Sequence, residues 1–390
     1  MKNTSMAATT LFTSESVAPG HPDKVADYIS DSLLDATLAL DPEARVAAET
    51  LVTENLVVLA GEIRARAVPD FVAVARQAIV DLGIDEPGFN PQTVEIQCHV
   101  HEQSAEIAQG VDATTDKAEG AGDQGIMFGY ACNETPVLMP APIYYAHRLL
   151  EACAARRLAG LSWLRPDAKA QVTLEYQGHQ PVRVHTLLLS HQHTRDATQA
   201  DVLRLLQAVA AEVFPTGWVG GHTRLLANPT GSFILGGPAA DTGLTGRKII
   251  VDSYGGAARH GGGAFSGKDP TKVDRSAAYA ARYLAKNIVA AGLAERCEIQ
   301  LGYAIGVAEP LAIYLETFGT LQKGLTATQL ERALRASMPL TPQGIRTHLG
   351  LNRPIYRPTA HFGHFGRTPG PAGEFSWEKT DLVPALLRGL

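Results

Sequence analysis

The chain has 390 residues, of which 45% are hydrophobic, and its formal net charge is -6. This length allows two or three domains, and the hydrophobic share supports full cores, which excludes global disorder. The negative charge predicts no general attraction to nucleic acids or acidic membranes, so any anion site has to be a local basic cluster.

The cysteines and the N-terminus bear on the cellular compartment in which the protein is expected. The four cysteines are scattered without a CxxC pair: Cys98, Cys132, Cys153 and Cys297. This argues against a disulfide framework or a zinc site and is typical of a reducing environment. The N-terminus lacks the apolar core of a signal peptide, and no apolar run is long enough to span a bilayer. We therefore expect a soluble cytoplasmic protein.

Hydrophobic periodicity predicts the same order of elements three times: a helix, a two-stranded hairpin and a second helix. The first copy has a helix at 22–40, strands at 45–52 and 56–63, and a helix at 70–82, followed by a strand at 93–100. The second copy has elements at 142–158, 170–176, 182–190 and 197–214. The third copy has elements at 272–291, 297–304, 311–318 and 327–338.

This repeat predicts an α+β fold of three similar domains, each a mixed or antiparallel sheet with helices on one face. Coincidence among common elements is the alternative, because the copies share little sequence. We predict domains at 10–106, 119–234 and 236–376, with a C-terminal tail at 377–390 that packs back on the body. Apolar strand residues, among them Val172 and Leu187, predict that the second face of the sheets pairs across a homodimer.

The stretch 231–272 concentrates eleven glycines and five basic side chains. Those basic residues are Arg247, Lys248, Arg259, Lys268 and Lys272. Glycine lets backbone N–H groups approach a ligand closely, and nearby cations suit a phosphate chain. A mobile, solvated loop is the alternative. The apolar runs at 233–235 and 249–251 favour a loop that is attached to a folded domain at these positions.

Two nucleotide motifs match only in part. Residues 120–125 fit G-x-G-x-x-G, but a polar loop precedes them and a strand-like run follows, which disfavours a dinucleotide fold. Residues 262–268 fit G-x-x-x-x-G-K, but Asp269 stands where a Walker A loop needs Ser or Thr. The strand predicted at 249–254 also ends too early to feed that loop. The loop at 262–268 therefore remains a candidate for phosphate binding, but not as part of a P-loop NTPase fold.

The segment HPDK at 21–24 begins the first predicted helix. Pro22 suits the first helical position and Asp23 complements the helix dipole, so a purely structural reading accounts for the motif. His21 is in addition a candidate phosphate or proton partner.

The third long helix is predicted to begin with Asp269 as its N-cap and Pro270 after it. Three cations then lie near the positive end of the helix dipole: Lys268, Lys272 and Arg275. A bound anion would relieve this arrangement, as would solvation or nearby carboxylates. Because magnesium uses one or two carboxylates with substrate phosphates, Asp23 and Asp274 are candidate ligands.

Seven sequence blocks in order carry a family resemblance. They lie at 11–24, 120–135, 138–143, 164–169, 236–252, 262–283 and 377–381. Over nearly all its length the chain resembles the bacterial S-adenosylmethionine synthetase (methionine adenosyltransferase) family. The resemblance implies three domains related by pseudo-threefold symmetry. It also implies active sites shared within a homodimer, and a dimer of dimers, that is, a homotetramer.

The resemblance implies an ATP-dependent transferase that makes S-adenosylmethionine from ATP and L-methionine. Methionine sulfur attacks the ribose C5′, triphosphate leaves, and the triphosphate is hydrolysed to phosphate and diphosphate. The thioether carries no proton, so the first step needs no general base and depends on positioning and on stabilising the leaving charge. The implied cofactors are two Mg²⁺ per site and one K⁺ per subunit, with no nucleic acid or membrane as partner.

The resemblance also assigns site residues by group. The catalytic group is His21, Lys169, Arg247 and Lys268. The ATP group is His21, Asp123, Asp167, Lys169, Ser232, Phe233, Asp241, Arg247, Lys248, Ala264 and Lys268, with Phe233 as the ring that stacks on adenine. The methionine group is Glu62, Gln103, Asp241 and Lys272. The metal group is Asp23 and Asp274 for magnesium and Glu49 for potassium.

The resemblance implies a gating loop at 102–111. The sequence differs from the family pattern in this loop and at two other places. The loop residues are Gln103, Ala105, Gln109, Gly110 and Val111. Glu102 replaces a common Lys and Ala105 a common Pro, so loop dynamics are expected to differ. Ser232 stands where many bacterial members have Arg. Segment 367–375 is longer than the usual connector and is predicted to be a surface insertion.

Two rival functions follow from the same residues. A kinase-like transferase would use the 262–268 loop and pass a γ-phosphoryl group to a hydroxyl. A non-catalytic nucleotide-binding subunit would tolerate loss of His21, Asp23 or Lys268, yet all three are present.

Overall fold

The computed structural model describes residues 9–103 and 119–390. The strands in these ranges are β1 Thr9–Val17, β2 Arg45–Thr53, β3 Leu56–Arg64, β4 Glu95–Glu102, β5 Gly125–Cys132, β6 Leu164–Gln177, β7 Gln180–His193, β8 Arg224–Ala227, β9 Gly243–Leu244, β10 Arg296–Tyr303 and β11 Ala312–Glu316. The α-helices are α1 Pro22–Leu40, α2 Phe71–Asp81, α3 Ala141–Leu158, α4 Gln199–Val213, α5 Ile249–Asp252, α6 Val273–Ala290, α7 Ala327–Ser337, α8 Pro342–Leu349 and α9 Val383–Arg388. None of these helices is long and apolar enough to cross a membrane.

Three sheets exchange strands between distant parts of the chain. Their strand orders are β4-β3-β2-β9, β1-β6-β7-β8 and β11-β10-β5. Only β3–β4 and β7–β8 pair in parallel in these described sheets; the other pairs are antiparallel. The predicted α+β class with mixed sheets is confirmed.

The exchange of strands is cyclic. Strand β1 of the N-terminal stretch pairs with β6 of the central stretch. Strand β5 of the central stretch pairs with β10 of the C-terminal stretch, and β9 of the C-terminal stretch pairs with β2 of the N-terminal stretch. Every sheet therefore contains a strand from outside its own stretch. The bounds 10–106, 119–234 and 236–376 stay predictions, whereas the cyclic exchange fits the implied threefold relation.

Helix α1 forms where the sequence predicts it. Pro22 occupies the first turn, where its missing N–H needs no partner, and His21 Nδ1 accepts the N–H of Asp23 at 3.2 Å. Val25, Ile29 and Leu33 recur at helical spacing and are fully buried. This packing fixes the N-terminus of α1, and with it the HPDK segment.

The apolar strand residues that were expected to face a second subunit lie in the core of this chain. Val172 and Leu187 are fully buried and belong to a core with Leu149 of α3 and Leu206 of α4. They face this chain's own helices because side chains alternate along a strand, and the opposite face of β6 carries polar groups such as Gln171. These apolar residues therefore give no support to a homodimer.

Two local predictions in the glycine-rich stretch were wrong. The apolar run predicted as a strand at 249–254 forms α5, because the Asp252 N–H bonds back to Lys248 O at 2.9 Å; such short runs do not distinguish strand from helix. Asp269 is not an N-cap, since Lys272 holds that position before α6. The carboxylate of Asp269 instead accepts the Thr271 and Val46 N–H groups at 2.9 and 2.6 Å.

The C-terminal segment contacts helix α6. The Trp377 ring stacks on Tyr279 with centroids 3.7 Å apart. Glu378 accepts two bonds from Arg282 at 3.0 Å and one from Lys286 at 2.7 Å, all out of solvent. A buried carboxylate with such partners ties this segment to α6, the helix that follows the loop carrying Lys268 and Lys272, here called the lysine-rich loop.

Candidate active site

The first cluster of predicted site residues lies at the N-terminus of α1. Asp23 Oδ2 is 2.6 Å from Lys248 Nζ, and Asp23 Oδ1 accepts the Leu244 N–H at 3.0 Å. Burial alone would raise the pKa of Asp23, but the Lys248 and Leu244 hydrogen bonds outweigh it and hold that pKa below its usual value. The carboxylate is therefore ionised at neutral pH and paired with a lysine.

His21 is held neutral beside this pair. Burial, reinforced by the charges of Lys248 and Lys169, lowers the pKa of His21 to about 3. Because Nδ1 accepts the Asp23 N–H, the proton of the neutral ring lies on Nε2. His21 can thus donate one hydrogen bond to an anion without carrying a charge.

Strand β6 brings Asp167 and Lys169 to the same region. Asp167 is buried, its Oδ2 accepts the Gly237 N–H at 2.8 Å, and burial raises the pKa of Asp167 to about 6. Lys169 is exposed, lies opposite Val17 in the sheet, and acts electrostatically on His21 and Asp167. The strand therefore adds a cation to the first cluster.

A cavity of about 390 Å³ lies beside these groups, between β1 and the glycine-rich stretch. Its polar lining includes Glu15, Gln171, Arg247 and Lys248. Arg247 is exposed, so its guanidinium is accessible to a ligand. The cavity can accept an anion on its basic wall.

The second cluster lies where the glycine-rich stretch enters α6. Lys268 Nζ is 2.7 Å from Asp274 Oδ2, and Lys272 Nζ is 2.5 Å from Asp269 Oδ2. Burial alone would raise the pKa of Asp269, but the Lys272 ammonium and other donors hold it below its usual value. A Cβ on Gly263 would lie 2.3 Å from Asp274 Cγ, so only glycine lets the backbone pass this carboxylate.

The two clusters adjoin each other through the loop between them. A Cβ on Gly246 would lie 2.6 Å from Ala264 Cβ, and Ala264 follows the glycine that touches Asp274. The candidate magnesium ligands are nevertheless separately paired, Asp23 with Lys248 and Asp274 with Lys268. Across residues 9–103 and 119–390, no group of three or more His, Cys, Asp or Glu side chains is arranged to hold a metal.

Glu62 of the predicted methionine group and Glu49, the predicted potassium ligand, lie in one sheet. Glu62 pairs with Ala47, which bridges to Lys268, so these three lie in a row across β3, β2 and the lysine-rich loop. Glu49 is exposed two residues along β2, on the same side as Ala47. Glu62 Oε1 is also 3.6 Å from His101 Nε2, and Gln103 directly follows β4.

Four other assigned residues are exposed or half-buried in the described part of the chain. Asp123 and Asp241 are exposed and accept the N–H of the next residue at 2.7 and 2.9 Å. Ser232 is exposed, and the backbone of Phe233 bonds to His193, which leaves its ring half-buried. The remaining gating-loop residues lie outside the described residues: Ala105, Gln109, Gly110 and Val111.

Sequence reasoning missed the buried charges behind the HPDK segment. Lys24 is 1% exposed and pairs with Asp27 at 2.8 Å and with Asp252 at 2.5 Å. A lysine after a helix N-terminus normally lies in solvent, so its residue type gave no signal. The sequence signal that could have indicated these charges was the four-residue spacing of Asp23 and Asp27.

Comparison with known proteins identifies the same family along nearly all of the chain. Models of the S-adenosylmethionine synthetase N-terminal, central and C-terminal domains match residues 9–105, 118–233 and 235–379. The chain is 60% identical over 380 residues to the S-adenosylmethionine synthase of Paramagnetospirillum magneticum, covering 96% of this chain and 97% of that protein.

Two further relatives give the same result. Identity is 58% over 381 residues to the S-adenosylmethionine synthase of Rhodospirillum centenum, covering 97% and 98% of the two chains. It is 56% over 400 residues to S-adenosylmethionine synthase 2 of Rhodopseudomonas palustris, covering 99% and 100%. The chain therefore belongs to the S-adenosylmethionine synthetase family.

Proposed function

We propose that the chain makes S-adenosylmethionine from ATP and L-methionine, and that its two lysine–carboxylate clusters bind the triphosphate. The observation that carries this proposal is the pairing of Lys248 with Asp23 and of Lys268 with Asp274 at 2.6 and 2.7 Å. A phosphate oxygen is a better partner for each ammonium, and a hard divalent cation is a better partner for each carboxylate. Binding of ATP with the metal would therefore replace both lysine–carboxylate pairs by lysine–phosphate and carboxylate–metal contacts.

The residues present fit magnesium. Asp23 is an ionised oxygen donor with a lowered pKa, and Asp274 is a partly exposed carboxylate at the lysine-rich loop. Asp23 and Asp274 would hold the ions, two per site, and magnesium would neutralise charge on the phosphates. Glu49 is the proposed K⁺ ligand, one ion per subunit.

In the first step the methionine sulfur forms a bond to C5′ while the C5′–oxygen bond breaks and its electron pair leaves with the triphosphate. No proton moves, so the site needs positioned cations and hydrogen-bond donors. Lys169, Arg247 and Lys268 supply the positive charge, and the Nε2–H of His21 supplies a neutral donor near C5′. Hydrolysis of the triphosphate then gives phosphate and diphosphate.

Substrate binding would extend over both clusters and the neighbouring sheet. For ATP we propose Asp123, Asp167, Ser232, Phe233, Asp241, Lys248 and Ala264 beside the catalytic cations. For methionine we propose Glu62, Gln103, Asp241 and Lys272, since a zwitterion needs an acid for its amino group and a cation for its carboxylate. The gating loop, from Gln103 to Val111, would close over them.

A homodimer with shared sites, associating further into a homotetramer, is the proposed assembly in the cytoplasm. Its support is a set of exposed apolar side chains on and beside the sheets, including Leu11, Phe12, Ile126 and Ile250. An interface between subunits would cover exposed apolar side chains of this kind.

The proposed function is tested by incubating the protein with ATP, methionine and Mg²⁺, with and without K⁺, and recording proton and phosphorus magnetic resonance spectra. We expect a sulfonium methyl signal together with phosphate and diphosphate. ADP with a phosphorylated acceptor would favour the kinase alternative, and binding of ATP without turnover would favour a regulatory subunit.

A further inference from the structure

Helix α1 carries an aspartate at every fourth position: Asp23, Asp27, Asp31 and Asp35. This spacing places them in one stripe along the helix, and all four are at most 5% exposed. Each carboxylate accepts a backbone N–H from the C-terminal stretch. A buried carboxylate is costly without such partners, so the aspartate stripe fixes the segments that it contacts.

Asp27 fixes the turn that precedes two predicted phosphate contacts. Its Oδ1 accepts the Gly246 N–H at 2.9 Å, and its Oδ2 accepts Lys24 Nζ at 2.8 Å. Gly246 has a φ of +79° and is packed against Ala264, so side chains larger than hydrogen are excluded there. Arg247 follows this glycine directly, and Lys248 comes next.

Asp31 makes the same contact at the second cluster. Its Oδ1 accepts the Gly267 N–H at 2.9 Å, Gly267 has a φ of +77°, and Lys268 follows. Arg275 bonds to both oxygens of Asp31 at 2.7 and 3.0 Å and also donates to Lys268 O at 3.2 Å. Both glycine turns that precede a predicted phosphate cation are therefore held by one helix.

Asp35 provides the contrast within the same stripe. It accepts the Tyr356 N–H at 2.9 Å and the Arg357 N–H at 2.8 Å. These residues are absent from the proposed ATP and methionine sites. Both aspartates are buried and accept a backbone N–H, although Asp27 also binds Lys24, and the segment that Asp35 holds has no assigned part in the reaction.

We propose that Asp27 is a positioning residue for triphosphate binding: through the Gly246 N–H it sets the turn that directs Arg247 and Lys248 at the phosphates. This inference rests on the proposed function and deepens it. When the acceptor is removed, the half-buried Gly246 N–H loses its partner, and the peptide turns to find another one. The two cations that follow then move relative to the phosphates.

The test measures the affinity and stoichiometry of tripolyphosphate binding with Mg²⁺ by calorimetry on the full chain. Asp27→Ala is expected to weaken the affinity and lower kcat by about ten- to a hundredfold, while the KM for methionine stays near its wild-type value. Asp27→Asn should recover part of the affinity, because its amide oxygen can accept the Gly246 N–H. A role confined to stability would change the number of binding sites and leave their affinity unchanged.

Asp35→Ala is the matched control, because it removes the same kind of contact from the same helix. It should lower the melting temperature but leave tripolyphosphate affinity at the wild-type value. The proposal is overturned if Asp27→Ala also keeps wild-type affinity, or if both variants weaken it equally.

A second variant perturbs the turn from the loop side and covers the case in which Asp27→Ala does not fold. Gly246→Ala forces a Cβ against Ala264 and should weaken tripolyphosphate affinity. Gly256→Ala is its control, since Gly256 has a φ of +87° with no atom within 4 Å of an added Cβ. Wild-type affinity in Gly246→Ala contradicts the proposal.

The wild-type protein separates this inference from the proposed function. If it forms S-adenosylmethionine and Asp27→Ala keeps full tripolyphosphate affinity, only the positioning role fails. If the wild type forms no S-adenosylmethionine and binds no tripolyphosphate, both fail.

Discussion

Replacing Lys268 by alanine removes the ammonium that we assign to the leaving triphosphate. Two unit charges 4 Å apart near a protein surface interact by about 4 kcal/mol. Asp274 sits 2.7 Å away and the lysine side chain is 26% exposed, so part of this interaction is already screened. A loss of about 2–3 kcal/mol in transition-state stabilisation remains, which corresponds to a fall in kcat of roughly 30- to 150-fold.

The same variant should hardly change stability. The Lys268–Asp274 pair is partly exposed, and such pairs contribute about 1 kcal/mol or less to the free energy of unfolding. Steady-state formation of S-adenosylmethionine and urea unfolding therefore separate the two effects. Because the charge is used mainly as the C5′–oxygen bond breaks, kcat should fall more than ATP affinity does.

Two further variants control this prediction. Lys268→Arg keeps the charge and should retain part of the rate. Lys323→Ala removes an exposed lysine from a loop that has no part in the proposed site and should have no effect on turnover. Equal kcat in Lys268→Ala and the wild type would refute the assigned role, and so would a tenfold rise in the KM for ATP at unchanged kcat.

Other predictions concern magnesium, pH and the C-terminal segment. Asp23→Asn should shift the Mg²⁺ titration of activity to higher concentration by tenfold or more with an unchanged circular dichroism spectrum; an unshifted curve contradicts the ligand role. Burial lowers the pKa of His147 to about 3 from an unfolded value near 6.5, so this group destabilises the fold as pH falls through 6.5 towards 3. At pH 5.5 this loss is about 1 kcal/mol, and urea unfolding of His147→Gln should show that much less dependence on pH between 7 and 5.5. Glu378→Gln leaves Arg282 and Lys286 without their buried counter-charge and should lower the free energy of unfolding by about 3–5 kcal/mol, whereas a change below 1 kcal/mol would contradict this account.

Hydrophobic periodicity predicted the helices and strands that bury one face against the core. Helix α1 and the strands after it lie where apolar spacing put them, because Val25, Ile29 and Leu33 can face the core only in that conformation. The short apolar run at Ile249–Asp252 has no such periodicity, so its helix was mistaken for a strand.

Long-range contacts were beyond local reasoning. No pattern within the chain shows that β1 pairs with β6 or that β5 pairs with β10, since register is set by partners more than a hundred residues away. The same holds for Asp27 and Gly246, whose contact spans 219 residues. Individual site residues were identified by motif, whereas their pairing with lysines required the fold.

The most direct test of the central claim is a single-turnover experiment with the full chain, limiting ATP, excess methionine and Mg²⁺, stopped in acid at short times. We predict that S-adenosylmethionine and triphosphate form together in equal amounts, and that phosphate and diphosphate follow as the triphosphate disappears. Formation of ADP, or release of phosphate before any S-adenosylmethionine is present, would contradict the account.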